Sequence, residues 1–138
     1  MRAAAFRQYL WMIGLTFVFV PGCGPDAEQY ETVPVSGVVT CQGKPVANAT
    51  VNFTPKDDQG RTKGRRGRVA LGMTDNDGRF KLTTYENYDG AIIGKHTVTV
   101  GLNFDEKTGR DPSRAFPCRD SSKEVSVEAG MGEIKVDF

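Results

Sequence analysis

From Val33 onward the chain alternates apolar and polar positions in short stretches, each broken by a cluster of Gly, Asp, Asn or Pro. Successive side chains of a strand point to opposite faces, so a period of two with frequent turns predicts short β-strands, each with one buried face. Val35, Val39 and Cys41 share one parity around Gly37, and Gln42-Gly43-Lys44-Pro45 is a turn sequence. Val51 and Phe53 point inward between Asn52 and Thr54, and Val69, Leu71 and Met73 form the next inward set. After Asp75-Asn76-Asp77-Gly78 come Phe80 and Leu82, inward against Arg79 and Lys81, and these last two stretches read as a hairpin. Val98, Val100 and Leu102, then Val125 and Val127, and finally Ile134, Val136 and Phe138 give three more strands. No window carries a sustained helical stripe, and 16 Gly with 7 Pro break most helices. The pattern therefore predicts an all-β fold, a seven-stranded Greek-key-like β-sandwich over residues 33–138. A barrel of the oligonucleotide-binding kind is the alternative. It wants aromatics on an exposed sheet face, whereas Phe53, Phe80 and Phe138 fall on the core parity.

The first residues follow another logic. Met1-Arg2 and Arg7 precede an apolar run from Tyr9, which ends at Val20-Pro21-Gly22-Cys23. A basic start, an apolar segment of about 12 residues and a small residue before the cut form secretory signal architecture. The run is too short to cross a bilayer, which takes about 20 residues, and an ordinary cleaved secretory peptide is the other competing reading. With its Cys, the stretch resembles the lipobox of bacterial lipoproteins. The resemblance implies a signal peptide at 1–22, removal of that leader, and a fatty-acylated Cys23 that anchors the chain to membrane. Residues 23–32 then serve as a tether. Gly24, in place of the Asp that favours inner-membrane retention in the resembled system, points to the outer membrane, facing the periplasm or the exterior.

Loss of Arg2 and Arg7 with the leader takes the formal charge from +1 to −1. A nearly neutral domain does not bind nucleic acid through its whole surface. Cys41 and Cys118 remain, and an exporting compartment lets such a pair persist as a disulfide. The other reading makes Cys41 a small buried hydrophobe and Cys118 a loop thiol. Neither has a Cys or His partner at ligand spacing, so no metal is expected.

Val35-Ser36-Gly37-Val38-Val39, the run from Gly43-Lys44-Pro45-Val46 to Val51-Asn52-Phe53, and Thr74-Asp75-Asn76-Asp77-Gly78-Arg79-Phe80 together resemble a carboxypeptidase regulatory-like domain of the transthyretin-like superfamily. Gly94-Lys95-His96-Thr97-Val98-Thr99-Val100 fits the same pattern, and the nearest likeness is to small planctomycete-type lipoproteins. The resemblance implies a seven-stranded sandwich and no assigned activity. The superfamily's enzymes, the 5-hydroxyisourate hydrolases, carry several His residues and a C-terminal Tyr-Arg-Gly-Ser. This chain has one His and ends Val136-Asp137-Phe138, so no enzyme and no cofactor are expected.

Four local features carry candidate chemistry. His96 lies on the parity of Val98 and reads as a histidine at the core margin, since no nucleophile or carboxylate is identified for it to serve. Asp75-x-Asp77-Gly78 has the opening of a calcium loop but lacks its later acidic ligands, and reads as a turn. Arg61, Lys63, Arg65, Arg66 and Arg68, interleaved with Gly, form either a solvated loop or a contact for anionic lipid headgroups or acidic glycans. Tyr85 and Tyr88, beside Asp89, either cover the end of the sandwich or offer rings to a sugar or peptide. Asn48-Ala49-Thr50 and Asn52-Phe53-Thr54 match glycosylation sequons, which the lipobox makes irrelevant. Together these features predict a lipid-anchored module of the bacterial cell envelope with a structural or binding role toward an envelope protein or glycan. A carbohydrate-binding lipoprotein using the loop aromatics is the alternative, and a hydrolase of unrecognised type is the third reading, disfavoured by the missing constellation.

Overall fold

Alternation becomes sheet in a computed structural model that describes residues 29–56 and 67–138. Ten strand segments follow one another among the described residues: β1 (Thr32–Val33), β2 (Ser36–Cys41), β3 (Lys44–Pro45), β4 (Ala49–Pro55), β5 (Ala70–Met73), β6 (Arg79–Lys81), β7 (Ala91–Ile92), β8 (Gly94–Leu102), β9 (Ser122–Val127) and β10 (Ile134–Asp137). The only helical element among the described residues is a single 3-10 turn, Pro112–Ala115, capped by Asp111, whose carboxylate accepts the Ser113 N–H at 3.0 Å. The seven segments of three or more residues coincide with the stretches of period-two alternation. The three two-residue segments are additional, too short to leave a pattern.

Two four-stranded sheets enclose the core. In one, β10 runs parallel to β2 on one edge, while β6 and β3 share the other edge as antiparallel neighbours. The second is fully antiparallel in the order β5-β4-β8-β9. A short ribbon pairs β1 with β7. Between the sheets lie Val35, Val39, Phe80 and Val136 from the first and Val51, Phe53, Val98, Val100 and Val127 from the second, all buried. Phe53 meets Phe80 across the gap, ring centroids 5.9 Å apart and tilted, a geometry aromatic pairs favour. The outer strands β9 and β10 expose Lys123, Glu124, Lys135 and Asp137, charges that discourage pairing with another chain.

Cys41, at the end of β2, is joined by a disulfide to Cys118, in the segment leading to β9, with Cα atoms 6.1 Å apart. Both are buried, so the bridge staples the first sheet to the approach to the second. Beside it the C-terminal strand closes on β2, with Phe138 N–H on Thr40 O at 3.0 Å and Gln42 N–H on Phe138 O at 2.9 Å.

Two expectations are corrected in β5. Its inward residues are Ala70, Gly72 and then Thr74, while Leu71 and Met73 are 49% and 69% exposed. The reason is space. A Cβ at Gly72 would stand 2.9 Å from Lys81 O and 3.1 Å from a Leu82 methyl, so the wall here admits only small residues. The second correction concerns the hairpin, because β5 pairs with β4 and β6 pairs with β2 in the other sheet. Asp75–Gly78 is thus a crossing between sheets, and the two stretches are tied to each other by the Leu71–Thr83 bridge and by the Asp75 N–H on Arg79 O at 2.9 Å. Asp75 shapes the crossing, its Oδ1 accepting the N–H groups of Asp77 and Arg79, both at 2.9 Å. Gly78 completes it at φ +74°, where a Cβ would meet Val39 O at 2.5 Å.

Two outcomes are expected in chemical denaturation. Gly72→Val loses about 1–3 kcal/mol by overpacking, whereas Met73→Thr stays within about 0.5 kcal/mol of wild type. Replacing both Cys41 and Cys118 by Ser lowers stability by about 2–5 kcal/mol, and reductant has no further effect on that variant.

Candidate binding cleft

The inversion of β5 puts its larger side chains on an outer surface, and this surface is concave. Leu71 and Met73 from β5, Arg79 and Lys81 from the outward face of β6, Tyr88 from the following loop and Glu133 before β10 line an open cleft of about 1000 Å³. Thr50 and Ser36 from the neighbouring strands and Asn87 from the loop add polar groups. Among the described residues its four charged side chains, Asp75, Arg79, Lys81 and Glu133, balance to zero. Arg79 Nη1 donates to Glu133 Oε1 at 2.8 Å, and both side chains are about half exposed. Such a pair contributes at most about 1 kcal/mol to stability, so its value lies in fixing where two polar groups stand.

The loop that carries Tyr88 is organised by one carboxylate. Asp89 Oδ1 accepts the Thr84 N–H at 2.6 Å, and Oδ2 accepts those of Tyr85 at 2.9 Å and Glu86 at 3.1 Å. Thr84 Oγ1 donates to Gly90 O at 2.6 Å, and the Tyr88 N–H reaches Thr83 Oγ1 at 3.1 Å. Partial burial by itself would raise the Asp89 carboxyl, but the amides of Thr84, Tyr85 and Glu86 outweigh it and hold the group below its ordinary value of 3.8. Held this way, Tyr88 takes φ +60°, left-handed backbone that costs a bulky residue about 1–2 kcal/mol. Its side chain is nevertheless 66% exposed, with the Lys81 ammonium 5.7 Å from the ring centroid.

The sequence-derived candidates are distributed differently from one another. Tyr88 lines the cleft. Tyr85 is half-buried, its hydroxyl accepting the Tyr30 N–H at 3.2 Å, so it ties the preceding segment to the loop. Arg68 is exposed just before β5. Arg61, Lys63, Arg65 and Arg66 lie outside the described residues, as do Cys23 and the leader. His96 is fully buried, with Nδ1 3.0 Å from Gly94 O and its ring against Phe53 at 6.0 Å. A carbonyl only accepts, so Nδ1 carries the proton. Among the described residues no three His, Cys, Asp or Glu side chains gather as metal ligands.

Leu71, Met73, Lys81, Arg79 and Glu133 were not singled out from sequence. The first two belonged to a stretch whose larger residues were assigned to the core, although the small residues of Ala70-Leu71-Gly72 carried the opposite signal. Glu133 reaches Arg79 only because β10 lies against β2, a pairing that no local pattern encodes. No family model matches the chain, and neither any curated protein nor any solved structure matches it.

The Asp89 contacts give a pH prediction. Because the folded carboxyl titrates below the unfolded one, the stability it contributes is complete above the ordinary carboxylate value and is lost as pH falls through the folded one. In thermal unfolding from neutral pH down to about pH 2, wild type loses melting temperature more steeply below about pH 4 than Asp89→Asn does.

Proposed function

We propose that this chain is a lipid-anchored module of the bacterial cell envelope that binds its ligand and does not transform it. It is a Greek-key-like β-sandwich of the carboxypeptidase regulatory-like kind, built on its seven longer strands, held by Cys23 to the outer membrane and facing the periplasm or the exterior. The cleft carries the binding half of this reading. A concave surface that leaves Leu71, Met73 and Tyr88 exposed among fixed polar groups has the character of a recognition site. Its polar groups are engaged in holding geometry, Asp75 by the amides of its own turn and Glu133 by Arg79. The single imidazole of the chain is inside the core, away from the cleft wall. The anchoring half rests on the Val20-Pro21-Gly22-Cys23 stretch.

Both halves are testable in cells. Metabolic labelling with a radioactive fatty acid marks wild type and not Cys23→Ala, which leaves the membrane fraction; equal labelling of the two excludes the anchor. A photo-crosslinking residue at position 73 gives adducts in intact cells, and one at position 126, on the outer strand β9, does not. Absence of adducts from position 73 argues against the cleft as a binding surface.

A further inference from the structure

Resting on the binding reading above, we infer that the cleft recognises a neutral glycan, with Tyr88 as a preorganised stacking platform. Three observations select this class. The first is backbone. A peptide added to a sheet edge is recognised through the free N–H and C=O groups of that edge. At the middle of β5 those groups are taken, because Leu71 N–H bonds Thr83 O at 2.9 Å and Thr83 N–H bonds Leu71 O at 2.8 Å, which leaves a peptide no continuous run of edge groups to pair with. A helical partner needs a long apolar groove, whereas the exposed aliphatic side chains of the cleft among the described residues are two, Leu71 and Met73, on one short strand.

Charge is the second observation. Among the described residues two acidic and two basic side chains line the cleft, a balanced set that offers a polyol both signs at once. Vicinal hydroxyls donate to the Glu133 carboxylate and accept from the Arg79 guanidinium, and the pair is already held at 2.8 Å before any ligand arrives.

The third is the backbone strain at Tyr88. A bulky residue at φ +60° persists because Asp89 binds the amides of Thr84, Tyr85 and Glu86 before it, Thr83 Oγ1 accepts its own N–H, and the Gly90 N–H beyond it is held by Leu82 O. Glycine would suit that position without strain, yet the chain puts an exposed ring there. Pyranose rings present a face of C–H bonds that packs on the electron-rich face of an aromatic, and a ring carried on a braced backbone loses less freedom on contact than one on a mobile loop.

Tyr88→Gly is therefore the discriminating variant, since it removes the platform while relieving the strain. The full chain, purified in a non-glycosidic detergent, is applied to an array of neutral and uronic-acid oligosaccharides and then titrated with whichever neutral oligosaccharide binds. Wild type binds at least one neutral glycan. Tyr88→Gly weakens that binding by about tenfold or more with a melting temperature equal to or above wild type, and Tyr88→Phe retains it. A preference for the acidic oligosaccharides, or binding that Tyr88→Gly leaves unchanged, overturns the inference. So does a blank array, and adducts from position 73 alongside a blank array would leave a binding module whose ligand is of another class.

Discussion

The close approach of β5 to the residues of β6 and Leu82 is the constraint on which the rest of this structure depends. Gly72 stands where a Cβ would collide with Lys81 O, and Ala70 fills the neighbouring inward position at 1% exposure. With no bulk between them, the two sheets come together along one side and the chain crosses from one to the other through Asp75–Gly78. The same closeness brings the ring of Phe80 to Phe53 at the centre of the core. It also forces Leu71 and Met73 outward, since adjacent residues of a strand cannot share a face. The cleft is thus a consequence of packing on the opposite side of β5.

The far end of the molecule is closed by different means. There β2 is held by the C-terminal strand, which pairs in parallel from Gly37 to Thr40, and by the disulfide to Cys118. A parallel edge strand brought from the end of the sequence closes a long loop, and the entropy of that closure is unfavourable until the contacts form. The covalent bridge removes much of that loss by constraining the unfolded chain, with a model-dependent gain of about 4 kcal/mol for a span of this size. One side of the fold is therefore fixed by fit and the other by a covalent bond. The cleft sits on the side fixed by fit, and its shape follows from residue sizes at Ala70, Gly72 and Gly78.

Much of this was legible in the chain. Period two located every longer strand, and the burial of Val39, Val51, Phe53, Leu82, Val98 and Val136 followed from parity alone. Parity failed at β5 because hydrophobicity and size pointed to opposite faces, and size prevailed where backbone stood within 3 Å. Treating a small-large-small alternation as a small-inward strand would have reversed the assignment. The crossing after β5 was misread for another reason. An Asx turn closed by Gly fits a hairpin and a change of sheet equally well, and the difference lies in partners distant in sequence, β4 and β2. The Tyr85-to-Asp89 loop illustrates the same limit. Composition drew attention to both tyrosines, but only the hydrogen bonds of Asp89 and Tyr30 separate the ring that braces from the ring that is displayed.

That separation bears on how a recognition surface arises on a small sandwich. Loops at the ends of such folds move unless something holds them, and an aromatic on a mobile loop loses conformational freedom on contact. Here Asp89 gathers three amides, Thr84 ties back to Gly90, and Gly90 passes against Val33 O so closely that no side chain fits. The loop is thereby fastened to the ribbon of β1 and β7 and has little freedom left to lose. Tyr88 carries the resulting strain in its own backbone. A ring that is exposed, strained and braced at once has no part in the core, and its position beside Lys81 sets the direction from which a ligand meets it.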